Sequence, residues 1–535
     1  LKKAHLYLLG LLSGLLLTFS WFPVGFAGMI FLAFVPLLIV EQQIAQSPQL
    51  YKRTTLFSIS YITFFLWNVL VTWWIKNASF GGAAMAILCN ALLMALVFVL
   101  VHRVKKRVGE KWGYLVFISF WIAFEFIHLD WDLTWPWLTL GNVFAETPHW
   151  IQWYEYTGVF GGSLWVLIVN VLIFKLITNK NAIENRKAQI KKGIIVSIII
   201  LVPILISAVV GLFANKYWKG GMSVVVVQPN IDPYNEKFFV NYQEQLQKML
   251  NLASEQVDST TQYLLLPETA LTEDLWENQL QQSWSVQTLQ KYIQQFPNLK
   301  IVIGASTAKV YQPGEPLSAT ARKFTNDDAY YDSYNTALQL DSTGKIQIYH
   351  KSKLVPGVEK MPFPFIFKYV EKFAIDLGGT SGSLGMQDTR TAFFSPDRSK
   401  VTAPVVCYES IYGEYVSEYI NNGAQFISII TNDGWWGDTP GYKQHLKYGA
   451  LRAIETRKWI ARSANTGVSC FINPMGEILQ ATEYWKPAVI KQRITLSDDR
   501  TFYTKHGDII ARLAFGLSLV LIVYSLLIRF KILKK

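Results

Sequence analysis

A polytopic α-helical membrane bundle of eight transmembrane helices carrying one α/β domain is the fold class this sequence predicts, from three observations. The 535 residues are 51% apolar and 15% aromatic but only 16% charged, well below the about one-quarter usual for soluble domains. Windows near the about 20 apolar residues that cross a bilayer crowd the N-terminal part and return at the C-terminal end. Between them, over 221–497, short β-branched runs alternate with polar helical stretches, the pattern of an α/β domain. This composition excludes a disordered chain and a small disulfide scaffold. The 50 Lys+Arg against 38 Asp+Glu give +12. These cations fall in short runs between apolar windows rather than on one face, so they report topology and no nucleic-acid partner is expected.

The windows lie near 5–22, 25–41, 54–75, 82–102, 114–128, 156–177 and 193–214, with the last at 508–529. The domains expected are thus 1–215 (a bundle of about seven helices), 221–497 (the soluble domain) and 508–530 (a final helix). Lys and Arg resist translocation, so their positions set orientation. With the N-terminus inside, eight crossings put Lys2 and Lys3, Lys52 and Arg53, the 103–107 cluster, the 186–192 cluster and Lys531, Lys534 and Lys535 on the cytoplasmic side. The opposite loops hold almost none, and the aromatic loop 129–155 has no Lys or Arg. Both termini are therefore expected inside and the soluble domain outside. The first window reads as an uncleaved anchor, because a second span follows without a small-x-small cleavage site. Cys89, Cys407 and Cys470 form no disulfide framework.

In the soluble domain the sequence predicts strands at 224–227, 263–266, 300–304, 336–340, 345–349, 403–407 and 425–431, and helices near 240–257, 284–296 and 440–457. Three strand ends carry chemistry: Glu268 after Leu266-Pro267, Lys351 after Tyr349-His350, and Cys407 after Val405-Val406. Taken singly, Glu268 reads more readily as a helix N-terminal charge and Cys407 as inert packing. Together they meet one need. A thiol is mostly protonated at neutral pH, so it requires a base to take its proton and a cation to hold the oxyanion formed at a carbonyl. His350 and His445 leave a Cys–His pair open as well. No metal-ligand spacing or phosphate-binding glycine loop occurs, so no cofactor and no metal are expected.

The segments Pro267-Glu268-Thr269-Ala270, Tyr349-His350-Lys351-Ser352-Lys353 with Glu359 beyond, Cys407-Tyr408-Glu409 and Thr431-Asn432-Asp433-Gly434-Trp435-Trp436-Gly437 resemble the nitrilase (carbon–nitrogen hydrolase) superfamily. Gln228-Pro229-Asn230-Ile231, Arg452-Ala453-Ile454-Glu455 and Arg462-Ser463-Ala464-Asn465 are further matches. Within that superfamily the membrane architecture, with Pro136-Trp137-Leu138-Thr139-Leu140-Gly141 in the bundle, resembles the apolipoprotein N-acyltransferases over nearly the whole chain. The resemblance implies an α-β-β-α sandwich in the periplasm of a bacterium, tethered to the inner membrane, and a ping-pong transfer. Cys407 would take the sn-1 acyl chain of a phospholipid, usually phosphatidylethanolamine, and pass it to the α-amine of a diacylglyceryl-modified apolipoprotein.

By the same resemblance Glu268 would be the general base and Lys351 the oxyanion cation, with Glu359 orienting Lys351 or assisting the proton traffic, and Tyr408 and Glu409 supporting the nucleophile. Asn432, Asp433, Trp435 and Trp436 would line the site. Where the family commonly carries Lys-Trp in an entrance loop, this chain reads Glu236-Lys237-Phe238-Phe239, making Phe238 the lid aromatic. Segments 131–137 and 150–156 fit either the floor of an apolar entrance or an interfacial aromatic belt. Arg452 and Glu455 fit a helix salt bridge at i, i+3. The alternatives are a membrane-tethered amidase using the same three residues, and a transporter or scaffold. The scarcity of ionisable residues inside the spans argues against the latter.

Overall fold

The structure, a computed structural model, describes residues 2–52, 54–178, 186–213, 219–362 and 383–530. Arg53, Lys531, Lys534 and Lys535 of the predicted cationic clusters lie outside the described residues. The chain divides into two compact units, one of Leu1–Lys76, Ala83–Leu212 and His506–Lys535, the other of Asn77–Gly82 and Phe213–Lys505.

In the first unit apolar helices occupy all eight windows. Among the described residues, six helical spans have the length and hydropathy to cross a membrane: Ala27–Gln46, Thr55–Asn77, Phe80–Val108, Tyr154–Ile177, Arg186–Phe213 and Ile509–Arg529. Lys3–Thr18 is apolar but has only 16 residues, and Glu110–Ile127 carries Glu110, Lys111 and Glu125. Close packing rests on small residues. A Cβ at Gly10 would stand 2.4 Å from Ile59 Cγ2, and Thr63 Oγ1 donates to the Gly10 carbonyl at 2.9 Å, the small-residue and hydroxyl contacts that join helices in lipid. Asn170 pins the broken helix 27–46, accepting from Phe34 N and donating to Ile30 O, each at 2.8 Å. Along Arg186–Phe213 the side chains of Ile194, Ile198, Leu201, Leu205 and Val209 are more than half exposed, a surface suited to hydrocarbon rather than water. The aromatic stretch folds as short 3₁₀ turns, with Trp137 fully buried and its ring 5.3 Å from Trp135 and 4.9 Å from Trp74.

The second unit holds fourteen described strands: β1 (Lys219–Gln228), β2 (Thr261–Leu265), β3 (Leu271–Trp276), β4 (Lys300–Val310), β5 (Arg322–Lys323), β6 (Tyr330–Leu340), β7 (Ile346–His350), β8 (Phe393–Phe394), β9 (Val401–Val406), β10 (Phe426–Thr431), β11 (Ile460–Ala464), β12 (Cys470–Ile472), β13 (Ile478–Leu479) and β14 (Ala488–Leu496). One sheet runs β14-β1-β2-β4-β6-β5, with β3 on β4 and β7 on β6; the other runs β13-β12-β11-β10-β9-β8. Helices Tyr242–Ser254 and Trp284–Gln294 bury Leu246, Met249, Leu289 and Ile293 against Val225, Leu264, Ile301 and Leu338 of the first sheet. Gly413–Asn421 and Pro440–Thr456 lie on the second sheet. The remaining sheet faces meet each other, as where the Tyr263 and Phe426 rings lie 5.1 Å apart, giving four layers. Runs such as Val224-Val225-Val226-Val227 and Phe426–Thr431 are buried throughout, as strands covered on both faces require.

Candidate active site

β1, β2 and β4 run parallel in the first sheet, as do β9, β10 and β11 in the second. The carboxyl ends of parallel strands are where α/β sheets present side chains. Here those ends are tied together: Ile231 N donates to Asn465 Oδ1 at 3.0 Å, and Asn432 N donates to Glu268 Oε2 at 3.1 Å. β7 pairs antiparallel with β6, itself antiparallel to β4, so β7 points the same way and delivers Lys351 to the same edge. Gly304 on β4 lets the chain after β2 approach, since a Cβ there would lie 2.4 Å from Thr269 N and 2.6 Å from Glu268 Cα.

Glu268 and Lys351 are buried, 6% and 1% exposed. The ammonium donates to Glu268 Oε1 at 3.0 Å and to Glu359 Oε1 at 2.8 Å, and the Asn335 amide bridges the same two oxygens at 2.8 and 3.0 Å. Glu359 is fixed in turn by Val355 N, 2.9 Å from its other oxygen. Burial pushes the Glu268 carboxyl up, but Lys351 and the Asn335 hydrogen bond outweigh it and hold the group below the usual carboxylate range. Burial works against the Lys351 charge, and Glu268 and Glu359 more than offset it, raising that ammonium well above its usual value. An ammonium has three protons to donate, so these two bonds leave one for a further acceptor.

Cys407 opens the turn after β9 with φ 49, a left-handed conformation costly for a residue with a side chain. Its surroundings impose it. Ser410 Oγ donates to the Cys407 carbonyl at 2.7 Å, and His445 Nε2 lies 3.2 Å from that oxygen. Burial and the Glu268 charge raise the thiol well above its usual pKa, against the opposing pull of Lys351. The site therefore rests as carboxylate, ammonium and thiol, the state from which a base-assisted attack starts.

Glu409 is fully buried. It accepts from Val406 N at 2.8 Å on the Cys407 side, and from Ser352 N at 2.7 Å and Tyr349 Oη at 2.6 Å on the Lys351 side. Tyr408 is buried, its ring 5.4 Å from Tyr412. Asp433 is committed elsewhere: Arg462 at 2.5 Å, His445 Nδ1 at 2.9 Å and Thr431 Oγ1 at 2.8 Å all bind its carboxylate. Trp435 and Trp436 are half-buried; the Trp435 carbonyl accepts from Tyr234 Oη at 2.7 Å and the Trp436 ring lies 5.5 Å from His445. Phe238 is 47% exposed. Arg452 and Glu455 are a fully buried pair at 2.7 Å, and Cys470 is a buried free thiol.

Among the described residues, one group has the donor atoms of a metal site. Cys407, Asp433 and His445 offer ligand atoms within 4.8 Å of one another. The Arg462 guanidinium already neutralises that carboxylate, so the donor set fits a hydrogen-bonded brace rather than a cation. Sequence reasoning overlooked Asn335, which sits mid-strand, and Lys237, 5% exposed, whose ammonium donates to Thr269 Oγ1. It left His445 open as a thiol partner.

This fold and this set of strand-end residues define a nitrilase-like carbon–nitrogen hydrolase domain, and the family model for carbon–nitrogen hydrolases matches residues 223–502. The model for the apolipoprotein N-acyltransferase N-terminal domain matches 13–172. The chain is 30% identical over 527 residues to the apolipoprotein N-acyltransferase of Chlorobaculum tepidum, covering 96% of this chain and 95% of that protein. It is 27% identical to that of Geobacter metallireducens, over 94% of this chain and 92% of the other. The fold is similar to that of an amidase from Nesterenkonia sp., at 16% identity over 55% of this chain and 97% of the other, with a TM-score of 0.36. The chain belongs to the apolipoprotein N-acyltransferase family and is an enzyme of the acyltransferase class.

Proposed function

We propose that this protein transfers the sn-1 acyl chain of a phospholipid, phosphatidylethanolamine in the first place, to the free α-amine of an S-diacylglyceryl cysteine at the start of an apolipoprotein. In the first half-reaction Cys407 Sγ attacks the ester carbonyl and its proton passes to Glu268. Lys351 and the backbone N–H of Tyr408 hold the oxyanion, the C–O bond breaks, and the proton leaves on the lysophospholipid oxygen. In the second half-reaction the acceptor amine attacks the thioester, gives its proton to Glu268, and the C–S bond breaks to return the thiol. Glu359 and Asn335 orient Lys351; Glu409 and Tyr408 support the nucleophile's turn; Asn432, Asp433, Trp435 and Trp436 line or brace the site, and Phe238 belongs to the entrance.

The observation that carries the reading is the buried pair of Glu268 and Lys351 acting on a strained, buried Cys407, in a chain whose apolar helices suit it to a membrane. Both substrates are lipids, and drawing an acyl chain into water costs about 0.8 kcal/mol per methylene; a membrane-anchored enzyme avoids that cost. Residues 221–497 would form the catalytic domain, flanked by the bundle and a final helix, with the domain on the periplasmic side of the inner membrane and both termini in the cytoplasm. The test incubates purified protein with phospholipid bearing a tagged sn-1 chain and seeks a hydroxylamine-labile adduct by mass spectrometry. An adduct on Cys407, absent from Cys407→Ala and moved to amide linkage by a diacylated lipopeptide, is the expected result. An unlabelled Cys407 in folded protein overturns the phospholipid donor and redirects attention to amide substrates.

A further inference from the structure

The segment between β1 and the helix Tyr242–Ser254 inverts the usual order of burial. Tyr234, Phe238 and Phe239 are exposed, Phe239 at 81%, while Lys237 among them is turned inward; lysine is among the residues least often buried. Its ammonium donates to Thr269 Oγ1, on the residue that follows Glu268. Its backbone is fixed as well, the N–H donating to Asp232 O at 2.9 Å and the carbonyl accepting from Gln245 Nε2 at 2.9 Å. Thr269 cannot follow a retreating lysine: it has φ 45 and lies packed against Gly304.

The charges that face this ammonium belong to the proposed centre. Glu268 and Cys407 act on it directly, Lys351 and Glu359 act through Glu268 from the β7 side, and Asp433 bears on Cys407 from the end of β10. Burial pushes the Lys237 ammonium down, Glu268 and Cys407 push back, and it ends at about 8. Its charge is thus held below that pH and lost above it.

We infer that Lys237 is a positioning residue of the catalytic centre, a second cation beside Glu268 and Cys407 that ties the exposed aromatic segment 232–240 to the catalytic carboxylate through Thr269. The inference rests on the proposed roles of Glu268 and Cys407. It has an electrostatic consequence, because Lys351 already serves two carboxylates and the sulfur charge that appears as the Cys407 proton leaves gains a second counter-charge. It has a mechanical one too: displacing Phe238 and Phe239 withdraws that cation, so the base, the thiol and the entrance respond together.

The test uses the full-length protein in detergent and follows single-turnover acylation of Cys407 by tagged phospholipid, a step without an acceptor amine, from about pH 6 to about pH 9.5. Wild type is expected to lose rate as pH rises through about 8. Lys237→Met should be slower by about tenfold at neutral pH and lack that limb. Lys237→Arg, whose charge does not titrate in this range, should recover the rate and carry it to higher pH. Thr269→Val should behave as a weaker Lys237→Met and serves if the latter does not fold. A folded Lys237→Met or Thr269→Val with wild-type rate and profile, or a Lys237→Arg whose limb stays in place, overturns the inference. If Glu268→Gln is inactive in the same series, the reading of the centre stands without Lys237; if Glu268→Gln also acylates normally, both fall.

Discussion

Glu268→Gln keeps the shape of the side chain while removing its charge and its capacity to take a proton. Three donors now face the carboxylate: the Lys351 ammonium at 3.0 Å, the Asn335 amide at 2.8 Å and Asn432 N at 3.1 Å. A glutamine can accept from only one of the two sides, so at least one donor is stranded. Breaking a buried pair so that a charge is left alone costs about 3–5 kcal/mol. Lys351 retains Glu359 at 2.8 Å, so a smaller loss of about 1.5–3 kcal/mol is expected, the range of one lost hydrogen bond to a charged group. The kinetic effect is larger. A positioned general base contributes about 10²–10⁴ in rate, about 3–5 kcal/mol of barrier. The assay is acyl transfer from tagged phospholipid to diacylated lipopeptide, read by mass spectrometry. A second readout moves the other way: the Glu268 anion helps hold the Cys407 thiol up, so in Glu268→Gln the thiolate forms more readily and iodoacetamide should alkylate Cys407 faster at neutral pH. Transfer within about threefold of wild type by the folded variant refutes Glu268 as the base. Slower alkylation refutes the electrostatic account of the thiol.

Gly304→Ala should destabilise by about 1–3 kcal/mol and depress kcat, because the new methyl would meet main chain at Thr269 and Glu268 rather than a side chain that can turn away; calorimetry and turnover check both. Arg462→Met should cost about 3–5 kcal/mol by stranding the buried Asp433 charge. Although burial raises the Asp433 carboxyl, Arg462 and His445 hold it well below its usual range, so its contribution is present above the unfolded-state pKa and lost as pH falls through the folded one. Without Arg462 the folded and unfolded values draw together, so the variant, less stable at neutral pH, should lose less stability than wild type on acidification, visible in unfolding midpoints against pH. Glu409→Gln, facing donors on both oxygens, should cost about 1–3 kcal/mol and lower kcat more than it raises KM. The acid limb of Cys407 acylation should fall below the ordinary glutamate value of about 4.3, since Glu268 is held low and stops serving as base only as pH drops through that depressed value.

The strands legible in the sequence are those buried on both faces. β1, β2, β9 and β10 are apolar runs, and each was expected where it stands within a few residues. β11 is not among the runs the sequence marks out, although all five of its residues are buried, because Arg462 and Ser463 find their partners, Asp433 and the Val227 carbonyl, only in the folded protein. β14 escaped because it is an edge strand with mostly half-buried side chains, and an edge has no apolar run to show. The same division holds in the site. Glu268, Lys351 and Cys407 stand where a strand stops, which marks them. Asn335 lies inside β6, and only the pairing that sets Thr336 opposite His350 and Asn335 opposite Ser306 aims its amide between two carboxylates. Lys237 carries no such mark, since a lysine in a polar loop reads as a solvated charge until the fold buries it.

The proposed base and nucleophile come from different sheets, so on this reading the reaction depends on their register. Glu268, Asn335, Lys351 and Glu359 belong to the first sheet and the loops after its strands, while Cys407, Asn432 and Asp433 follow strands of the second. Apolar contact between two sheets is not directional and would tolerate small slides, yet a misplacement of about 1 Å between reacting groups can cost about a hundredfold in rate. Directional bonds across the seam remove that freedom. Glu409 joins Val406 N, one residue before the nucleophile, to Ser352 N, one residue after the lysine, through a single carboxylate. Asn432 N reaches from the end of β10 to the base itself. Burial pushes the Glu409 carboxyl above its usual range, the energetic cost of keeping an acidic group in a dry place. That cost secures a fixed distance between nucleophile and cation, which an apolar residue of the same size at position 409 could not provide.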